Sequence, residues 1–127
     1  MSTTIEIPAP CDWIRLNGGH GNRYARANLT SAWRNAARLH AKAQNLDPIS
    51  GYPVRIEARV HLATRPSRWD ATNWLPTAKA CVDGLVDAGV LTDDSNRHVV
   101  GPDMRADDRR DHASLVITIT PTGDTAP

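Results

Sequence analysis

Apolar residues alternate at period two over Thr3-Thr-Ile5-Glu-Ile7, a run stopped by Pro8 and Pro10. The alternation returns over Val54, Ile56, Ala58, Val60 and Leu62, interleaved with Arg55, Glu57, Arg59 and His61. Both runs predict strands, the first short enough for an edge, the second with one face inward and the other toward water or a partner. Leu115-Val-Ile117-Thr-Ile119-Thr, closed by Pro121, predicts the last strand, and Arg97-His-Val-Val100 a shorter one before it. Elsewhere the spacing lengthens to three and four. Ala32, Trp33, Ala36, Ala37, Leu39 and Ala43 predict the buried face of a helix that starts near Thr30 or Ser31, either able to cap it, and runs to about Gln44. From Pro76, suited to a first helical position, Ala78, Cys81, Val82, Leu85 and Val86 predict a second helix that Gly89 ends. Gly84 inside that helix costs roughly 1 kcal/mol relative to alanine, so close packing or a backbone approach is its expected reason.

Proline and glycine in Leu46-Asp-Pro48-Ile-Ser-Gly51 mark a connector. Residues Arg15 to Asn28 set Gly18, Gly19 and Gly21 among Arg15, His20, Asn22, Arg23 and Arg26, which predicts a polar loop able to approach another backbone closely. Leu91-Thr-Asp93-Asp94-Ser-Asn predicts a turn, the Asp- and Arg-rich stretch 102–112 an exposed loop, and Thr122 to Pro127 a frayed tail. The order strand, loop, helix, strand, helix, strand, strand predicts an α+β fold whose mixed or antiparallel sheet carries its helices on one face. With 127 residues the chain holds one domain, residues 1–121, followed by the tail 122–127. No second catalytic domain is expected.

Composition adds little until charge is divided along the chain. The net charge is +1, yet residues 1–69 hold ten Lys and Arg against four Asp and Glu, and residues 70–127 hold five against ten. A basic front half beside an acidic back half suits a protein that holds phosphates with cations and a metal with carboxylates; two oppositely charged solvated faces give the same arithmetic. On the first helix Arg34, Arg38 and Lys42 share one row at four-residue spacing, either a solvated basic face or a rail for nucleic acid. Cys11 and Cys81 lie far apart, and the first residues lack the basic and apolar stretches of a signal peptide, so a reduced, cytoplasmic setting is expected. No apolar run approaches the roughly 18 residues of a membrane span.

The chemistry concentrates in residues 70–94. Asp70 follows a strand, Lys79 and Asp83 lie on the next helix, and Asp93-Asp94 follow that helix. Mg²⁺ takes oxygen ligands in an octahedron, often one or two carboxylates with water and substrate phosphate. Asp70 and Asp94 can supply the carboxylates, with Asn73 and Asp93 in support, while Lys79 neutralises charge on a phosphate. The same residues have plainer uses: Asp93-Asp94 as turn formers, Asp83 as a partner of Lys79 one helical turn away. The five histidines and two cysteines show no compact metal-ligand spacing, which argues against a zinc site. A P-loop, a dinucleotide fingerprint and a Gly-x-Ser-x-Gly elbow are absent, and no organic cofactor is expected.

Residues 70–94 resemble the RusA family of Holliday junction resolvases, whose core reads Asp-x-Asp-Asn, Lys-x-x-x-Asp-x-Leu, then Gly-Val and a double Asp. The matching pieces are Asp70 and Asn73, Lys79-Ala-Cys-Val-Asp83-Gly-Leu85, Gly89-Val90 and Asp93-Asp94. Ile5-Glu-Ile7-Pro8-Ala-Pro10 looks like the family's opening strand and proline pair, and Asn22-Arg23-Tyr24 like its early basic segment. The resemblance implies a homodimeric, Mg²⁺-dependent endonuclease, Mn²⁺ being a possible substitute, that binds branched DNA and resolves four-way junctions by paired nicks. Its active-site acids carry over to Asp70 and Asp94 and its lysine to Lys79, with Asn73, Asp83 and Asp93 as replacement ligands. Thr72 stands where the family has its second aspartate and cannot supply an anionic ligand. The DNA would lie across Arg23, Arg26, Arg34, Arg38, Lys42 and Arg68. The rival readings are a junction-binding recombination accessory protein that does not cut, and a hydrolase of small phosphate esters.

Overall fold

The computed structural model describes residues 2–17, 23–64, 66, 68–92 and 98–122. They form β1 (Thr3–Pro8), α1 (Arg23–Ala43), β2 (Val54–His61), a single 3₁₀ turn (Ala71–Trp74), α2 (Leu75–Asp87), β3 (Val99–Ala106) and β4 (Ser114–Pro121). The strands make one sheet in the order β1-β4-β2-β3. β4 runs antiparallel to both of its neighbours, whereas β2 and β3 are parallel. The sheet is therefore mixed and the fold α+β, as the element order predicts.

A parallel pair needs a crossover, and α2 supplies it between β2 and β3. Ile5 and Ile7 of β1, Val54, Ile56, Ala58 and Val60 of β2, and Leu115, Ile117 and Ile119 of β4 are all buried. The register sets Ile117 between Ile5 and Ala58, so these side chains form one layer. Trp33, Ala37 and Ala41 of α1 and Ala78, Cys81 and Leu85 of α2 belong to the same core. The alternate positions are mostly polar: Thr4 and Glu57 flank Thr118, and Glu6 and Arg59 flank the half-buried Val116.

α1 and α2 touch through Gly84. A Cβ there would stand 2.2 Å from the Arg34 carbonyl oxygen and 2.9 Å from the Ala37 Cβ, so the close approach expected of this glycine is what the fold contains. No helix of the described chain is long and apolar enough to cross a membrane.

Four local expectations need correction. α1 begins at Arg23, inside the stretch assigned to a loop, because Arg23 to Leu29 are mostly good helix formers once the glycines are passed. Thr30 is therefore interior, and its hydroxyl donates to the Arg26 carbonyl at 2.9 Å instead of capping. Leu39 is 50% exposed, and the buried stripe runs through Ala41. β3 starts at Val99 and continues to Ala106, through residues assigned to a loop. It is an edge strand whose register shifts between Arg55 and Glu57, a bulge that accommodates Gly101 and Pro102. Finally, Thr122 is not frayed, since its N–H and hydroxyl both donate to the Pro53 carbonyl. Residues 123–127 and the glycine-rich 18–22 lie outside the described residues.

Candidate functional site at the carboxyl ends of the parallel strands

The crossover carries the chain out beyond the end of β2 and back through the 3₁₀ turn. Trp74 of that turn lines a cleft with Leu62, Ala63 and Thr64, just past β2, and with Ala113, just before β4. Trp69 shares a crevice with Leu62, Asp107 and Arg109, the last two just past β3. Asp70, the next residue, thus stands at the edge where both parallel strands end, the side of an open α/β sheet on which ligands bind.

Asp70 is exposed and has extended backbone, φ −122° and ψ 119°, and its carboxylate accepts the Thr72 N–H at 3.0 Å. It therefore caps the turn with one oxygen. Thr72 contributes that N–H and no charge. Asn73 ties down the segment before α1: its carbonyl accepts from Leu16 N and its side-chain oxygen from Asn17 N, both at 2.7 Å. Thr77 repeats the device one turn later, its hydroxyl bonding both the N–H and the carbonyl of Ile14 at 2.8 Å. Trp69 and Trp74 meet edge to face at 5.3 Å, and Trp74 Nε1 is buried with no hydrogen-bond partner among the described residues.

The other residues of the 70–94 constellation are spread along the crossover. Lys79 is exposed on α2 and lines a crevice with Val82, Val99, Gly101 and Pro102, at the beginning of β3. Asp83 follows one turn on and is half-buried. Asp93 and Asp94 lie outside the described residues. Their described flanks are tied to the beginning of β2: Thr92 N donates to the Tyr52 hydroxyl and Val54 N to the His98 carbonyl, each at 2.8 Å. Asp70 comes after the far end of that strand, which is about 23 Å long.

A second group was not legible in the sequence. His61, Asp107 and Asp108 place one ligand atom each within 4.8 Å of one another, an arrangement that could hold a metal ion. His61 ends β2 and is 2% exposed, while Asp107 and Asp108 follow β3. Asp108 is 47 residues from His61, so no local spacing joins them; only the parallel pairing of β2 with β3 does. The histidines still show no compact ligand spacing along the chain; His61 enters this group through the fold alone, and the group by itself implies no particular metal. Arg59 contributes charge nearby, its Nε 2.8 Å from Glu57 and its Nη1 3.9 Å from Asp107.

The basic row of α1 is partly occupied. Arg34 makes a two-pronged bond to Asp87 of α2, Nε to Oδ2 at 2.6 Å and Nη2 to Oδ1 at 2.8 Å. The hydrogen bond from Arg34, reinforced by the charges of Arg34 and Arg38, holds the Asp87 carboxyl below its usual range. Arg38 donates to Asn35 at 2.6 Å, and Lys42 is exposed in the last turn. Arg26 donates to the Arg15 carbonyl at 3.2 Å, and Arg23 lies over the Tyr24 ring at 5.4 Å. Arg68 is exposed two residues before Asp70.

No protein-family model matches the chain, and no curated protein matches it as a relative.

Proposed function

We propose that the chain is a divalent-metal-dependent, structure-selective DNA endonuclease that resolves four-way junctions by paired nicks. It works as a homodimer in the cytoplasm, with Mg²⁺ as its ion and Mn²⁺ as a substitute. The observation that carries this reading is the meeting of acidic segments at the carboxyl ends of β2 and β3, where Trp69, next to Asp70, shares a crevice with Asp107. The RusA-like pattern from Asp70 to Asp94 and the basic α1 support it.

The donor set suits a hard cation. A carboxylate has two oxygens, so the bond from Thr72 N leaves Asp70 a second one for an ion. A bound dication would polarise the scissile phosphate and acidify an attacking water. Asp70 orients that charge from a fixed cap position. Asn73, through Leu16 and Asn17, holds the segment beside the cap in place. Arg38, Lys42 and Arg68 bind the phosphates of the arms.

The test is cleavage of a synthetic four-way junction beside a linear duplex, in Mg²⁺ and in Mn²⁺. Junction-selective nicks that vanish in Asp70→Asn are expected. The neutral Thr72 favours a second reading, a junction binder that does not cut. Binding without nicks, with cleavage gained in Thr72→Asp, would establish that one, and absence of both binding and cleavage would refute the nucleic-acid reading altogether.

A further inference from the structure

The His61 imidazole is buried, and among the described residues only its Nδ1 makes a hydrogen bond. Nδ1 lies 2.9 Å from the Asp108 carbonyl oxygen and 3.0 Å from the Asp108 carboxylate Oδ1. A carbonyl oxygen only accepts, so Nδ1 carries a hydrogen and donates to both. In the neutral ring this puts the lone pair on Nε2. That atom faces Asp107 Oδ2 at 3.6 Å, too long for a hydrogen bond, with an electron pair on each side of the gap.

In that tautomer two acceptors face each other, Nε2 of the buried ring and the partly exposed Asp107 carboxylate, and a cation between them satisfies both. Ligands about 2.1 Å from a metal stand about 3.4 Å apart at the tetrahedral angle. The observed 3.6 Å is close to that separation. The Nδ1–H bond to a carbonyl and a carboxylate is also the usual orienting partner of a metal-binding imidazole. The neighbouring Arg59 is held mainly by Glu57, at 2.8 Å, and lies farther from Asp107, at 3.9 Å.

The geometry points to a transition-metal site at the end of β2 in which His61 Nε2 and Asp107 are the ligands and Asp108 is the positioning residue. The mixed nitrogen and oxygen donors select a first-row ion such as Zn²⁺ over Mg²⁺, which prefers oxygen alone. Water or an oxygen of a bound molecule completes the shell. The site stands on its own geometry and does not depend on the nuclease reading.

Co²⁺ titration of the intact chain without DNA, followed by visible absorption and calorimetry, tests it. One ion per chain is expected, displaced by Zn²⁺ and not by equimolar Mg²⁺. Asp107→Asn and His61→Gln should each weaken binding by at least about 100-fold, and Asp108→Asn by about 10- to 100-fold, as outer partners do. Circular dichroism verifies folding; Asp107 is 37% exposed, so its variant remains informative if the His61 variant unfolds. Equal Co²⁺ affinity in wild type and Asp107→Asn would overturn the site. So would absence of binding by the wild type together with a ¹⁵N spectrum showing a hydrogen on Nε2, the signature of a plain imidazolium–aspartate pair. Because no DNA is present, a chain that cuts junctions without binding Co²⁺ here refutes this site alone.

Discussion

Replacing Gly84 by alanine adds one methyl group where α2 crosses α1. In an unobstructed helix the change stabilises by about 1 kcal/mol, since glycine has more backbone freedom to lose. Here the new Cβ would stand 2.2 Å from the Arg34 carbonyl oxygen, a backbone atom that no rotamer change can move. Ordinary contact begins near 3.4 Å, so the two helices would have to separate by about an ångström along the line of contact. Overpacking of this kind costs about 1–3 kcal/mol, and a backbone obstacle belongs at the upper end. Set against the propensity gain, a net loss of about 2 kcal/mol is expected. For a chain of this length that lowers Tm by about 7 °C. Urea and thermal unfolding of Gly84→Ala measure it directly. Gly89→Ala is the matched control: its Cβ would meet nothing within 4 Å, but φ is +81°, so a loss of about 1 kcal/mol should arise from backbone strain alone. A Gly84→Ala variant as stable as the parent would refute the packing argument.

Burial pushes the Cys81 thiol up, whereas Cys11 is only partly buried and its thiol is raised chiefly by desolvation and then by Asp12. A thiol reagent at pH 8 should therefore modify Cys11 in the folded chain and Cys81 only after denaturant is added. Asp87 has its carboxyl lowered by Arg34, so its contribution to stability is present above the ordinary aspartate value of about 4 and is lost as pH falls through the lowered folded value. The gap between wild type and Asp87→Asn in urea unfolding should be constant at neutral pH and close in acid; a gap that widens in acid would contradict the pairing. Under the junction-binding proposal, Arg38→Ala and Lys42→Ala should each weaken DNA binding and reduce the magnitude of the salt slope by about 1. Arg34→Ala should do less, because Asp87 already engages that guanidinium.

Much of the fold was readable as period. Val54 to Leu62 and Leu115 to Thr120 alternate cleanly because one face of each strand is buried, and that burial imposes the pattern. β3 hid because its register shift and edge position permit Gly101 and Pro102, residues that otherwise signal a loop. The start of α1 hid because Thr30 has the chemistry of a cap, and only its bond back to Arg26 reveals it as interior. Within the 70–94 constellation the sequence correctly placed Asp70 after a strand and Lys79 and Asp83 on the next helix, whereas the 3₁₀ turn that Asp70 caps carried no local signal.

By itself, then, the sequence determined what local spacing governs: the strand and helix periods, the single domain, the division of charge, and a glycine with a packing reason. Only the tertiary structure decided which distant residues meet. Arg34 finds Asp87 because Gly84 lets two helices close, and His61 finds Asp107 and Asp108 because β2 and β3 pair in parallel and end together. Periodicity extends over a few residues of chain, whereas these encounters are fixed by sheet register and helix approach, to which each residue contributes without carrying a local mark of its partner.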